Sequence, residues 1–323
     1  MLSLQEEYEQ MSDSKNVYTA EVIPPQKPQN VGQTSGMAII SMILGLSSFI
    51  CTVFTGLIAI ILGVLALSKI SNSNGRVVGN GFAIAGIVTG AMGCLWTLVL
   101  IGMLIPAVQQ VRTAARRTMT MNNTRQICLA SLNYESANMR FPSNLSLNNP
   151  EAGENLSWRV HILPFLERQD LYDRFNLDEP WDSPTNIALI AEMPEVFQHI
   201  ELELQPGYTV FQMPTSPANS ETPAILVEGE KGVGFGSISD GSSNTILVME
   251  VSESAAVPWT KPEDWQFDPD NPAHSLGDAF PGVFIAGLCD GSTHAIERDV
   301  APEALKPLIT RSAGDMVPPL SLY

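Results

Sequence analysis

Uncharged apolar residues fill two long stretches near the start of this chain. No side chain is charged between Lys27 and Lys69, and none between Arg76 and Arg112. Each stretch exceeds the roughly 20 apolar residues that a helix needs to cross about 30 Å of hydrocarbon. The pattern predicts a transmembrane helical hairpin over residues 36–105, with a first segment over 36–68, a polar loop SKISNSNGRVVGN and a second span over 81–105. As one helix the first segment would be about 48 Å long, so it must tilt, bend or protrude. Gly45 and the Thr55–Gly56 pair are the expected bends. Gly86 and Gly90 stand four apart, a small-residue face predicted to pack the membrane helices closely.

The second span does not stop at a lipid surface. It passes Pro106 and continues as IPAVQQVRTAARRTMTMNNTRQ. Val111, Ala114, Thr118, Met121, Cys128 and Leu132 recur at helical steps, a narrow apolar stripe on a polar helix. So thin a stripe needs a partner surface, and residues 106–140 are therefore read as a helical stem that forms the spine of a head spanning 106–323. In the head, Ser183 precedes Pro184 as an N-cap before the first helical position. From about Phe197 short strand patterns follow, among them ILVEGE and NTILVMEV. Two strand-like runs flank Asp290–Gly291, a hairpin signal in which Gly accepts the positive φ of a type I′ turn. A long amphipathic helix followed by antiparallel strands implies an α+β head with the helix on one sheet face.

Charge divides the chain further. The 323 residues carry a net charge of −17. Residues 106–140 hold five arginines against one acid, Glu135, whereas residues 141–323 hold 28 acids against eight bases. A head this acidic excludes nucleic acid, which is bound by neutralising phosphates. The stem arginines face either anionic headgroups or water. Residues 1–35 read as a disordered polar tail, Pro/Gln-rich and without a periodic apolar face. They show no basic region leading into a short apolar core, so no secretory signal is expected.

Candidate chemistry is sparse. The four cysteines, Cys51, Cys94, Cys128 and Cys289, have no C-x-x-C spacing, which argues against zinc. Cys128 and Cys289 are either two buried thiols or a disulfide. Asp268, Asp270, Asn271 and Asp278 offer hard oxygen ligands for calcium, although turn formers in a solvated loop give the same composition. The acids Glu167, Asp170, Asp173, Asp178, Glu179 and Asp182 fit no EF-hand spacing. The glycine-rich GEKGVGFGSISDG lacks the Gly-Lys-Ser/Thr ending of a phosphate loop. His161, His199, His274 and His294 are scattered and none sits in H-E-x-x-H, so no catalytic residue and no cofactor is assigned. Trp158, Trp181 and Pro164 are expected in the head core.

From Pro106 onward the chain resembles a bacterial family of prepilin-like proteins of unknown function. The resemblance is carried in order by LIPAVQQVRTAARRTMTMNNTRQICLASLNY, LSWRVHILPFLERQDLYDRFNLDEPWDSPTN, SDGSSNTILVMEV and LCDGSTHAI. Members of that family carry an H-x9-DG element, and counting ten residues back from Asp290 places Phe280 where the element has His. Residues 36–105 resemble a small two-helix membrane domain of unknown function, and no prepilin leader precedes them. The resemblance implies a pilin-like shape: a membrane helix continuing into a long helix packed on an antiparallel sheet. The expected protein is therefore a two-span, multi-pass protein of the cell membrane with an extracytoplasmic head. Its expected role is non-enzymatic, in surface assembly or protein contact. Expected partners are the lipid bilayer and other membrane or cell-surface proteins, or a second copy of the chain. The rival reading is a membrane-tethered ligand or calcium receptor, with a hydrolase behind it.

Overall fold

Small side chains set the packing at the start of the chain. The computed structural model describes residues 33–47, 52–73, 76–145, 153 and 155–314, so the expected polar tail up to residue 32 and Cys51 lie outside the described residues. The chain divides into two units, Met1–Ala107 and Val108–Tyr323. In the first, the apolar segment expected as one helix is two: α1 over Gly36–Ser47 and α2 over Thr52–Ser71. The two helices pack against each other, and both pack against the beginning of α3, which runs over Asn80–Asn138. Ala38, Ala59, Ala66 and Ala83 are fully buried there, because side chains of one carbon let helix backbones approach. Ser41 is buried among them, and its hydroxyl donates to the Ala59 carbonyl at 2.8 Å. Outside the helices, β1 (Gln33–Thr34) pairs in parallel with β2 (Val77–Val78), where a structureless tail and loop were expected.

Helix α3 has 59 residues and contains Pro106 without ending there; its length is about 88 Å at 1.5 Å per residue. Among the described residues it is the one helix long and apolar enough to cross a membrane, with a mean hydropathy of 2.1 over a window that is 6% buried. Its downstream part is core. Thr120, Thr124, Ile127, Cys128, Ala130, Ser131 and Tyr134 are buried, whereas Val111 is 69% exposed. Of the expected apolar stripe, Cys128 is buried and Met121 and Leu132 pack against the core, whereas Val111, Ala114 and Thr118 are exposed; the buried face is completed by three hydroxyls. Thr120, Thr124 and Ser131 donate to carbonyls one turn earlier, at 3.2, 2.9 and 2.9 Å, so polar side chains enter the core already satisfied.

That buried face lies on a four-stranded antiparallel sheet in the order β10-β9-β7-β4. The strands are β4 (Phe211–Gln212), β7 (Ile246–Glu250), β9 (Val283–Leu288) and β10 (Thr293–Glu297). Contact is closest at Gly287, where an added Cβ would run into the Cys128 sulfur and come within 3.0 Å of Thr124. Alternation along β9 sends Phe284, Ala286 and Leu288 to the opposite face, into a second cluster with Leu305, Leu308 and Ile309. Those three belong to α7 (Pro302–Ile309). The sheet is therefore covered on both sides, and the head is α+β as the sequence implied. Small pairs flank the sheet: β3 (Tyr208–Thr209) with β8 (Val257–Pro258) is antiparallel, and β5 (Thr215–Ser216) with β6 (Leu226–Val227) is parallel. Short helices fill the block before the strands: α4 (Trp158–His161), α5 (Gln169–Tyr172) and α6 (Pro184–Ile187). Ser183 caps α6 by accepting from the Asn186 amide at 3.2 Å.

The β9–β10 turn is not the expected type I′. That type needs positive φ at both central residues, but Asp290 is absent from the non-glycine residues with positive φ and Gly291 alone supplies it, at 87°. The Gly291 amide donates to the Leu288 carbonyl at 3.0 Å, which places Gly291 at the end of the turn. This is the three-residue hairpin with a glycine bulge. Asp290 accepts from the Ser292 amide at 2.8 Å and holds the loop shut.

Candidate functional site

The proposed metal ligands do not converge. An Asp268 carboxylate oxygen accepts the Asp270 amide at 2.9 Å, a local turn, and the Asn271 carbonyl is taken up by His274 Nδ1 at 2.8 Å. Asp278 reaches a different segment, accepting from the Glu253 amide at 3.5 Å. Among the described residues no group of three or more His, Cys, Asp or Glu side chains could hold a metal ion. The acids of the central block are likewise engaged at the surface: Asp170 with Arg168, Asp173 with Gln169, and Glu192 in a two-pronged pair with Arg174. Glu167 occupies a left-handed cap position, φ 60°.

Gly86 and Gly90 face the other helices of the first unit. A Cβ on Gly86 would strike Ser41, and one on Gly90 would lie 2.8 Å from the Gly56 carbonyl oxygen. Cys128 and Cys289 are both buried, free thiols. Burial raises the Cys289 thiol pKa, the neighbouring Cys128 and Asp290 adding to it, which makes that sulfur a poor nucleophile.

Among the histidines, His294 lies on β10 with Nε2 at 3.2 Å from the Ser292 hydroxyl. That hydroxyl donates to Asp290 at 2.6 Å. The imidazole must then be the donor to serine, the reverse of what a general base needs. His274 stacks on Trp265 with ring centroids 4.6 Å apart. His161 is buried with Nε2 unpartnered, and burial lowers its pKa to about 4.

Two buried polar constellations carry no signature in the sequence. In the first, Arg159 donates through Nη2 to Asp264 Oδ1 at 2.8 Å, both side chains fully buried. Its Nε and Nη2 also donate to the Phe211 carbonyl at 2.9 and 2.8 Å, and Nη1 to the Ser157 hydroxyl at 2.7 Å. Asp264 further accepts from the Trp158 indole at 2.9 Å, the Met213 amide at 3.1 Å and the Asn144 side chain at 3.1 Å. Burial lowers the arginine pKa, and Asp264 opposes that shift. So complete a network braces the head rather than offering a free reactive group. It borders a cavity of about 380 Å³ lined also by Glu228, Glu230 and Glu263. Those acids are occupied by Gln266, Arg311 and Lys261.

The second constellation lies under Phe280. His199 Nδ1 accepts from the amides of Glu201 and Leu202 at 3.2 and 3.1 Å, which leaves the ring proton on Nε2. That atom lies 3.1 Å from Glu250 Oε1, both side chains fully buried, yet outside hydrogen-bonding geometry, so neither atom is satisfied. Glu250 Oε2 accepts from the Ile285 amide at 3.2 Å. Phe280 is 2% exposed with its ring 5.9 Å from the His199 ring. Its outer side forms the wall of a groove of about 720 Å³ with Arg117, Thr118, Met121, Pro281 and Val283.

No signal in sequence ties Arg159 to Asp264 or His199 to Glu250, since each pair lies far apart along the chain. An isolated charge inside an otherwise apolar block, as in LSWRVHILPF, is the nearest hint.

No curated protein and no solved structure matches the chain. Residues 37–100 match a domain of unknown function, DUF4190. A second match covers residues 109–282: it includes Phe280 and ends before Asp290–Gly291. Because that match takes in more than half of the 323 residues, the chain belongs to the family described as a protein of unknown function, DUF1559.

Proposed function

We propose that this is a membrane-anchored, pilin-like surface protein with a non-enzymatic role in assembly or protein contact, its head outside the cytoplasm. One observation carries the reading. Helix α3 is apolar and outward-facing in its first half and becomes the core of an α+β head in its second. An anchor that is also a structural element of the head suits a protein that presents a surface at a fixed place. The Arg159–Asp264 network supports a structural rather than chemical use of that part of the head. Arg159 and Asp264 are saturated with partners, and the Ser292–His294 contact runs in the wrong direction for catalysis.

The test is amine-reactive crosslinking of intact cells, followed by isolation of the full chain. Lys231, Lys261 and Lys306 give the head its reactive amines. Discrete adducts with a membrane or surface protein, or with a second copy, are expected, and they should vanish when the head beyond Met139 is deleted. Recovery of the monomer alone would overturn the assembly role.

A further inference from the structure

We infer that the α1–α2 hairpin enters the membrane and leaves it on the same face, packed along α3 within the near part of the bilayer. Helix α3 is then the sole crossing, and the N-terminal tail and the head lie on opposite faces. This rests on the membrane anchoring proposed above and replaces the two-span arrangement that the apolar pattern suggested.

The direction of each helix follows from its contacts. Ser35 donates to the Val78 carbonyl at 2.9 Å, and Gln33–Thr34 pair with Val77–Val78, so the chain enters α1 beside the start of α3. Proceeding along α3, Gly79 faces Thr34 and Ala38, Gly86 faces Ser41, and Gly45 faces Thr89. Both numbers rise together, so α1 runs parallel to α3. Helix α2 returns: Gly90 faces Gly56, Ala59 and Ile60, and Gly63 faces Ala83 and Ile87. Its end is tied back by the Ser73 hydroxyl, which donates to the Ile70 carbonyl at 2.8 Å and accepts the Val77 amide at 3.1 Å. The hairpin therefore opens where it began, at the level of Asn80.

Depth separates this from two full spans. Gly56 sits opposite Gly90, about 15 Å along α3 from Asn80, and α2 begins four residues nearer the tip, about 6 Å more. Helix α2 thus begins about 21 Å along α3, short of a hydrocarbon layer of about 30 Å, whereas α3 stays apolar to Ile105, about 38 Å from Asn80. Beyond Thr97 every described residue of α3 as far as Ala115 is exposed.

The occupant of the outer face is the acyl chains of the leaflet on the tail side. Ile40, Ile43 and Leu46 on α1 and Leu57, Ile61 and Val64 on α2 are each more than half exposed, and no charged residue occurs between Lys27 and Lys69. Lys69 and Arg76 stand at the open end, where headgroups of that leaflet would meet them.

The test uses the full chain in living cells, with Cys51→Ala and Cys94→Ala in the background and one new cysteine, at Ser14→Cys in the tail or Ala218→Cys in the head. A membrane-impermeant maleimide should label one of the two in intact cells and the other after lysis. Labelling of both in intact cells, or of neither until lysis, would overturn the inference, because the hairpin would then cross. A carbonate wash of the membranes distinguishes the other failure: a chain released by the wash was never anchored, and both readings fall.

Discussion

At the scale of single residues, stability of the head depends on a few buried polar atoms. Arg159 gathers Ser157, Phe211 and Asp264 at one guanidinium, and Asp264 in turn holds Trp158, Met213 and Asn144. Replacing one member strands the other's charge, which costs about 3–5 kcal/mol. Arg159→Met is expected to lose that much in urea denaturation of the full chain in detergent. Asp264→Asn should lose a similar amount, since it leaves the Arg159 charge buried without its counterion and turns an amide NH2 toward donors. His161 gives the head an acid sensitivity. Its pKa falls from 6.5 to about 4 on burial, so the folded state resists a proton that the unfolded chain accepts. Stability from this group is whole above pH 6.5 and declines as pH falls toward 4, by on the order of 3 kcal/mol. His161→Phe should flatten the pH dependence across that window, and an unchanged slope would show that other groups dominate it.

At the scale of elements, α3 and β9 meet at Gly287, where there is no room for a Cβ. The expected cost of Gly287→Ala is about 1–3 kcal/mol from overpacking, because the new methyl meets the Cys128 sulfur. Pairing it with Cys128→Ala removes the obstacle, so the double variant should lose less than the sum of the single losses. Chevron or equilibrium denaturation of the four forms checks this. The seam also shows how far sequence patterns reach. The passage of α3 beyond Pro106, the Ser183–Pro184 start of α6 and the Asp290–Gly291 reversal were readable because each depends on neighbouring residues. The burial of Thr120, Thr124 and Ser131 was not, since hydroxyls count as polar until their bonds to the preceding turn are known. A bend was expected at Gly45 or the Thr55–Gly56 pair, and α1 ends and α2 begins between the two, but no local pattern showed that α2 returns along α1. The buried contacts of Arg159 and His199 depend on partners 105 and 51 residues away, so no local pattern could announce them.

At the scale of the whole molecule, one helix serves two units, and the second is incomplete without it. A chain beginning at Arg140 would leave Leu247, Val248 and Gly287 without the side chains of Ile127 and Cys128 that cover them. It is expected to bind hydrophobic dye and aggregate; a monomer with a sharp thermal transition would show that the head closes over its own interior. The same dependence has a temporal side. Cys128 is synthesised 159 residues before Gly287, and at about 5–20 residues per second this takes roughly 10–30 s. For that interval the Cys128 side of the newborn helix waits for the strand that closes on it, whereas Tyr134 already has the Phe165 ring as a neighbour.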